Sequence, residues 1–332
     1  MSKVFCFGEL LLRFSPVLDK TWIRTASMPV YIGGAELNVA RALAQWGVPV
    51  KYMTALPDHY LSKEIIDDLQ SKQIDTSAIQ FSGRRIGSYY LPQGTELKGA
   101  GVIYDREGSA FSELKPGMID WNAALKDCSW FHFSAISPAL NENIAAVCKE
   151  GLEAAAAKGM TISVDLNYRS KLWQYGKQPV EVMPELVKYC SVIMGNIWSA
   201  QSLLDVKSSV ENSEGRSQQE LIDAAGKSML QLHQQYPSAR SFAYTFRLQE
   251  TYWAVMQHGS DLVVSKEIPI VEVKDKAGSG DCFMAGLIYG MVNRQANQRI
   301  LDFAAAAAVG KLNEVGDATS QTVFEINSKL VS

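Results

Sequence analysis

The chain has 332 residues, of which 47% are hydrophobic and 20% are charged, and its formal net charge is −3. This composition predicts a soluble globular protein with a large core in one domain or two. The slightly acidic balance excludes the broad basic surface that nucleic-acid-binding proteins use. No apolar run approaches the roughly 18 residues that a membrane span needs. The charged N-terminal segment predicts a strand and not a signal peptide.

The cysteines and histidines show no pattern of a metal site. Five cysteines are scattered without C-x-x-C spacing, and four histidines lack a pair such as H-E-x-x-H. An odd number of dispersed cysteines indicates reduced thiols in a cytoplasmic protein. We therefore predict a cytoplasmic location and no metal site built from histidine and cysteine side chains.

Short apolar runs alternate with amphipathic segments along the chain. The predicted strands are Val4–Phe7, Val50–Ala55, Trp130–Ser134, Thr161–Asp165, Val192–Gly195, Phe242–Phe246, Tyr252–Met256 and the strand-like run Leu262–Val273. The predicted helices are Leu37–Trp46, Tyr60–Lys72, Glu142–Lys158, Ile197–Leu204, Gln218–Gln235, Cys282–Asn293 and Gln298–Leu312. Such alternation is typical of a mostly parallel sheet with helices on both faces.

Two segments, about 11–32 and 83–112, interrupt this alternation. They are rich in Thr, Tyr, Ile and turn residues and lack helical periodicity. We predict that they form antiparallel hairpins beside the main sheet. A small β-sheet lid of this kind would close a cleft and exclude water from it.

The segment Asp275-Lys276-Ala277-Gly278-Ser279-Gly280-Asp281 lies between a predicted strand and a predicted helix. A glycine-rich turn that opens a helix collects unpaired backbone N–H groups at the positive end of the helix dipole. Such a nest binds anions, most often phosphate. The Asp281 carboxylate could accept a proton beside that phosphate. For this segment alone, an ordinary strand-to-helix turn is an equally good interpretation, and the pattern is not that of a P-loop.

Polar clusters also follow other predicted strands, where open α/β sheets bind their ligands. Gly33-Gly34-Ala35-Glu36-Leu37-Asn38 leads from the first lid segment into a helix, and in isolation these residues are better explained as an ordinary helix start. Asp165-Leu166-Asn167-Tyr168-Arg169 follows a strand. Arg169 would suit a phosphate or carboxylate, or it would form an ion pair with Asp165.

The second lid segment carries Tyr89, Tyr104 and Arg106. These side chains could close over a polar, anionic substrate. The alternative is that the two tyrosines only pack within the hairpin.

Taken together, Gly33-Gly34-Ala35-x-x-Asn38-Val39-Ala40 and Asp275-x-x-Gly278-Ser279-Gly280-Asp281 resemble the two signatures of the ribokinase-like (PfkB) carbohydrate kinases. Their order and separation match, and the resemblance covers essentially the whole chain. It implies one kinase domain over 1–332. The implied fold is a three-layer α/β/α sandwich with a mostly parallel central sheet and a small β-sheet lid.

Within that family, the segments 33–36, 104–110 and 165–169 are most similar to those of the 2-keto-3-deoxygluconate kinases. This resemblance implies ATP-dependent phosphorylation of the sugar acid to its 6-phospho form, with Mg²⁺ held mainly by phosphates and water. The catalytic residues that it implies are Asp281, Gly278, Ser279 and Gly280. The implied substrate-binding residues are Gly33, Gly34, Asn38, Tyr89, Tyr104, Arg106 and Arg169. The implied nucleotide-binding residues are Asn196, Arg247, Gly278 and Gly280.

Three details depart from the family pattern. The turn 247–251, expected near the nucleotide, contains no glycine. The Asn-x-x-Glu element appears as Asn196-Ile197-Trp198-Ser199, so its Glu is missing. Ser279 replaces the usual Ala of the glycine core and adds a hydroxyl near the anion site.

Two other functions fit the sequence. One is a kinase for fructose or another neutral sugar, in which Arg106 and Arg169 have other roles. The other is a non-catalytic sugar- or nucleotide-binding regulator, which the altered turn favours and Asp281 disfavours. In each case we expect small-molecule ligands, no nucleic acid or membrane partner, and a homodimer or higher homo-oligomer, since a lid exposes sheet edges.

Overall fold

The computed structural model describes residues 2–16, 28–92 and 101–331. Its strands are β1 Lys3–Phe7, β2 Leu11–Phe14, β3 Val30–Gly33, β4 Val50–Met53, β5 Ala55–Leu56, β6 Ile74–Asp75, β7 Gln80–Phe81, β8 Gly87–Tyr90, β9 Ile103–Asp105, β10 Cys128–Ser134, β11 Thr161–Asp165, β12 Val192–Gly195, β13 Ser241–Arg247, β14 Thr251–His258, β15 Asp261–Val264 and β16 Ile268–Pro269. Its helices are α1 Ala35–Gln45, α2 Tyr60–Ser71, α3 Trp121–Ala124, α4 Glu142–Ala157, α5 Pro179–Val187, α6 Ile197–Leu204, α7 Gln218–Gln235, α8 Ser279–Val292, α9 Asn297–Leu312 and α10 Val323–Val331.

A 10-stranded sheet forms the centre of the protein, in the order β15-β14-β13-β12-β11-β10-β1-β4-β6, with β16 also paired to β14. In this order, every neighbouring pair between β13 and β6 is parallel. Strands β14, β15 and β16 extend the sheet beyond β13 through antiparallel pairs. The predicted mostly parallel sheet is therefore confirmed.

Helices cover both faces of this sheet. Because successive strand residues point to opposite faces, Phe5 and Phe7 of β1 belong to one apolar core and Val4 and Cys6 to the other. The first core is completed by α4, α5, α6 and α7, and the second by α1, α2, α8, α9 and α10. This arrangement confirms the three-layer α/β/α sandwich.

A second sheet, in the order β3-β2-β8-β9, forms the lid. The pairs β2–β3 and β8–β9 are antiparallel, as predicted. The two hairpins are joined by a parallel pairing of β2 with β8, which places Leu11 opposite Gly87. Local hairpin signals do not reveal such a long-range pairing. The parts of the predicted lid at 17–27 and 93–100 lie outside the described residues.

Three predictions of secondary structure were wrong or incomplete. The run Leu262–Val273 is not one strand, because only β15 and β16 pair with β14 and residues 270–273 are not strand. Pro269 has no N–H to continue a ladder. The run Val50–Ala55 divides into β4 and part of β5. Helices α3, α5 and α10 were not predicted, and two prolines in α5 obscure its periodicity.

Candidate active site

A cavity of about 570 Å³ lies between the lid and the carboxyl ends of the parallel strands. Asp165 ends β11, Gly195 ends β12, and both line this cavity. The lining includes every predicted site residue except Gly33, namely Gly34, Asn38, Tyr89, Tyr104, Arg106, Arg169, Asn196, Arg247, Gly278, Ser279, Gly280 and Asp281. Gly33 instead packs against Asp317, since a Cβ at Gly33 would lie 2.6 Å from Asp317 Oδ1.

The glycine-rich turn forms the N-terminus of α8. Gly278 is the N-cap residue and has a φ of 78°, in the left-handed region that favours glycine. A Cβ there would also lie 1.9 Å from the backbone oxygen of Asp317. Ser279 and Gly280 then open the helix, where backbone N–H groups have no intrahelical partner. The turn thus has the geometry of an anion nest.

The hydroxyl of Ser279 does not serve this nest. It donates to the backbone oxygen of Ala308 at 3.0 Å, and Ser279 is buried. The hydroxyl lies in the nest segment, as expected, but its hydrogen is directed away from the nest. The hydroxyl instead fastens α8 to α9.

Asp281 faces the cavity from the first turn of α8. Its Oδ2 accepts a hydrogen bond of 2.7 Å from Asn38 Nδ2, which fixes the orientation of the carboxylate. Burial raises the pKa of Asp281 to about 6. The Asn38 hydrogen bond and the positive charges of Arg169 and Lys311 oppose that rise, whereas the negative charge of Asp317 adds to it. A carboxylate with a pKa near neutrality is suited to general-base chemistry.

The lid side of the cavity is built from buried polar contacts. Arg106 donates from Nε to Glu9 Oε2 at 2.6 Å, and both residues are buried. Ser109 Oγ donates to the other oxygen of Glu9. Tyr89 donates its hydroxyl hydrogen to Asp317 Oδ1 at 2.6 Å. Because a guanidinium has five N–H donors, the bond from Nε leaves Arg106 with further donors for a ligand.

Arg169 approaches the cavity from the loop after β11. It is half-buried, and its Nη1 donates to the backbone oxygen of Tyr168 at 3.1 Å. Its charge also acts on Asp281. Arg106 and Arg169 therefore bring two cationic groups into the wall of one cavity.

The predicted nucleotide side is built differently. Asn196 caps α6 by accepting from the Ser199 N–H at 2.8 Å, and Ser199 Oγ accepts from the Asn196 N–H at 2.9 Å. Ser199, at the position of the missing Glu, thus completes a capping box. The turn after Arg247 is a tight hairpin, closed by a 2.9 Å bond from the Leu248 N–H to the Thr251 oxygen. Arg247 itself is exposed.

An ion-pair cluster that was not predicted fastens the lid to the nest. Arg13 on β2 is completely buried, and its Nη2 lies 2.5 Å from Asp275 Oδ2, while its Nε lies 3.0 Å from Asp317 Oδ2. Asp275 also accepts from the N–H groups of Ala277 and Gly316. Asp275 is the first residue of the glycine-rich segment, but no sequence pattern identifies Arg13 as its ion-pair partner.

Glu36 is a further carboxylate in the cavity wall, and no role was predicted for it. It is buried, and its Oε1 accepts from the Ser134 N–H at 2.8 Å and from the Ser134 hydroxyl at 2.7 Å. Burial raises the pKa of Glu36 to about 7 against the effect of these bonds. In the sequence, only its position two residues before Asn38, within a family signature, could have marked Glu36 as a site residue.

Among residues 2–16, 28–92 and 101–331, no group of three or more His, Cys, Asp or Glu side chains could hold a metal ion. Over the same ranges, no helix has the length and apolar character to cross a membrane.

Comparisons with known proteins identify the family of this chain. The sequence profile of the pfkB family of carbohydrate kinases matches residues 1–323. The crystal structure of 2-dehydro-3-deoxygluconokinase from Thermotoga maritima is 32% identical, with a TM-score of 0.89, covering 100% of this chain and 98% of that one. The 2-dehydro-3-deoxygalactonokinase of Haloferax volcanii is 26% identical over 99% of this chain and 96% of its own length.

A putative ribokinase II from E. coli, solved in complex with ATP and Mg²⁺, shares the fold with a TM-score of 0.82 at 19% identity, covering 100% of this chain and 99% of that one. The family profile spans nearly the whole chain, and the fold agrees over its full length. The chain belongs to the pfkB family of carbohydrate kinases and is a carbohydrate kinase.

Proposed function

We propose that this kinase transfers the γ-phosphoryl group of ATP to the 6-hydroxyl of 2-keto-3-deoxygluconate, which is also called 2-dehydro-3-deoxygluconate. The observation that carries the proposal is the pairing of the Asn38-oriented Asp281 carboxylate with the Gly278–Gly280 nest in one cavity. Arg106 and Arg169 in the same wall supply the positive charge that a sugar acid requires.

In the reaction, the substrate 6-hydroxyl loses its proton to Asp281 as its oxygen attacks the γ-phosphorus. The bond between that phosphorus and the β–γ bridging oxygen breaks, and ADP leaves with the bond electrons. The N–H groups of the nest contact the oxygens of the transferring group. Catalysis then comes from positioning and from electrostatic stabilisation of the transferring charge.

The residues present fit a nucleotide phosphate chain. The left-handed backbone at Gly278 and the helix N-terminus behind it present N–H donors of the kind that phosphate oxygens accept. Mg²⁺ bound with ATP would be held mainly by phosphate oxygens and water and would offset their charge. Asn196 and Arg247 would contact the nucleotide at the open edge of the sheet.

At the other end of the cavity, Arg106 and Arg169 would bind the substrate carboxylate, and Tyr89 and Tyr104 would close over its hydroxyl groups. Tyr89 already donates its hydrogen to Asp317, so its oxygen is left to accept a hydrogen bond from a sugar hydroxyl. Gly34 would permit close approach of the substrate to the backbone.

A kinase for a neutral sugar such as fructose is the second candidate. The specific observation in its favour is that the charge of Arg106 is already offset by Glu9 at 2.6 Å. In that case Arg106 would hold the lid closed and would not bind a carboxylate.

The test is a coupled assay of ADP release from Mg-ATP with a panel of acceptors. The panel contains 2-keto-3-deoxygluconate, its galactonate epimer, gluconate, fructose and ribose. We expect the highest kcat/KM with one of the two keto-deoxy acids. Turnover of fructose without turnover of either acid would refute the substrate assignment and support the second candidate.

A further inference from the structure

Lys311 is a completely buried lysine that the proposed reaction does not use. It lies in the last turn of α9, and its Nζ donates to the backbone oxygen of Glu314 at 3.2 Å. Its Cε lies 3.3 Å from the point that a Cβ on Gly278 would occupy. The side chain therefore passes directly behind the nest, on the protein side of the turn.

Lys311 lies among acidic side chains. Burial lowers the pKa of its ammonium group, and the negative charges of Asp275, Glu314 and Asp317 act against that change. Asp275 and Asp317 also pair with Arg13. Arg13 and Lys311 thus lie together with Asp275 and Asp317 behind Gly278, and the stem of Lys311 reaches the Cβ side of that glycine, as the backbone of Asp317 does.

A buried ammonium is costly, since its desolvation penalty amounts to several kcal/mol unless partners recover it. An apolar side chain of similar length could fill the same space between α8 and α9. The position of this charge gives it a use: a fixed cation beneath a phosphate nest stabilises negative charge above the nest at no reorganisation cost.

We propose that Lys311 is a positioning residue for phosphoryl transfer, whose ammonium strengthens the anion nest from behind and favours the carboxylate form of Asp281. This role rests on the proposed function. The charged and titratable groups that act on Asp281 together with Lys311 come from four other parts of the fold: Glu36 on α1, Tyr89 on β8, Arg169 after β11 and Asp317 after α9.

The experiment compares Lys311→Met with Lys51→Met. Lys51 is the matched control, because it is also buried and donates to backbone oxygens, those of Ala124 and Lys126, but it lies on β4 away from the cavity lining. Each variant is assayed with the best acceptor of the panel for kcat, KM and the pH profile of kcat/KM.

For Lys311→Met we expect kcat to fall about ten- to hundredfold with little change in KM for the sugar, and the acidic limb of the kcat/KM profile to move to higher pH. Lys51→Met should lower the melting temperature without moving that limb. Equal losses of kcat in the two variants with an unmoved limb would overturn the proposal.

A second variant, Lys311→Gln, guards against loss of folding, because an amide can still donate to the Glu314 oxygen without carrying charge. It should show the same displaced limb. If neither Lys311 variant folds while Lys51→Met does, the role of Lys311 is structural and the proposal fails.

The proposed function is tested separately, by turnover of the wild-type enzyme on the panel and by its loss in Asp281→Asn. If these hold while the acidic limb of both Lys311 variants is unchanged, the inference about Lys311 alone is wrong.

Discussion

The two ends of the cavity are constructed in opposite ways. At the proposed sugar end, Glu9 with Arg106 and Asp317 with Tyr89 form buried pairs between the lid and the core. At the proposed nucleotide end, Asn196 caps a helix, and Arg247 is exposed on a tight hairpin.

This difference leads to an expectation about which end of the cavity distinguishes one substrate from another. Buried charges are held in fixed geometry and respond strongly to the loss of a partner, whereas exposed charges are screened by water and salt. We therefore expect discrimination among substrates to depend on the buried end. The nucleotide would be held largely by backbone groups. Four predictions test this contrast, in order of decreasing effect.

The largest effect is expected from Asp281→Asn, which removes the proposed catalytic base. The amide oxygen can still accept from Asn38, so the local geometry should persist. We expect kcat to fall by about 10³-fold or more with sugar binding retained, as measured by steady-state kinetics and calorimetry.

The matched control in the same turn is Ser279→Ala. Its hydroxyl bonds only to Ala308 among the described contacts, so kcat should stay within about threefold. A near-normal kcat in Asp281→Asn would refute the role of that carboxylate.

The second prediction concerns Arg106→Leu. If Arg106 binds the substrate carboxylate, this change should raise KM for the sugar acid about a hundredfold and KM for a neutral analogue far less. Because the change also leaves Glu9 unpaired, Glu9→Gln is measured in parallel to assess the loss of the pair itself. Equal effects on acid and neutral substrates would remove the carboxylate-binding hypothesis.

The third prediction is a loss of kcat/KM in acid. The base must be ionised, and burial raises the pKa of Asp281 to about 6. Activity should therefore fall about tenfold for each pH unit below 6. Glu36→Gln should keep an acidic limb but move it to lower pH, because the change removes a negative charge that acts on Asp281. A profile that stays flat down to pH 5 would contradict the assignment.

The smallest effect is expected from Arg247→Ala at the exposed edge. We predict an increase in KM for ATP of less than about threefold and no change in KM for the sugar, since exposed charges contribute little. An increase above about thirtyfold would show that the nucleotide end is also organised by a side-chain charge, and the contrast between the ends would fail.

Much of the fold was predictable because the strongest signals are local. Thr161–Asp165, Val192–Gly195, Ile197–Leu204 and Gln218–Gln235 have the predicted bounds, since apolar runs and capping residues mark their ends. The run Leu262–Val273 was misjudged because an apolar composition does not say whether a partner strand is available. Residues 270–273 at its end belong to no strand of the described structure.

The candidate site was predictable where a motif is contiguous. Gly278 to Asp281 and Gly34 to Asn38 were found as segments, and the structure places them in one cavity. Glu9, Arg13, Asp317 and Lys311 could not be found in this way. Each acquires its meaning from a partner that only tertiary folding brings near, and a lone charged residue in a sequence predicts a solvated surface.

The ion pair of Arg13 with Asp275 also bears on how the protein is made. The two residues are 262 positions apart along the chain, yet they fasten the first strand of the lid to the nest. During translation, β1 and β2 leave the ribosome long before residue 275 is synthesised. Contacts of such sequence separation form late. We therefore expect nascent chains to acquire their central strands first, and the lid to be secured only when the final quarter of the polypeptide has emerged.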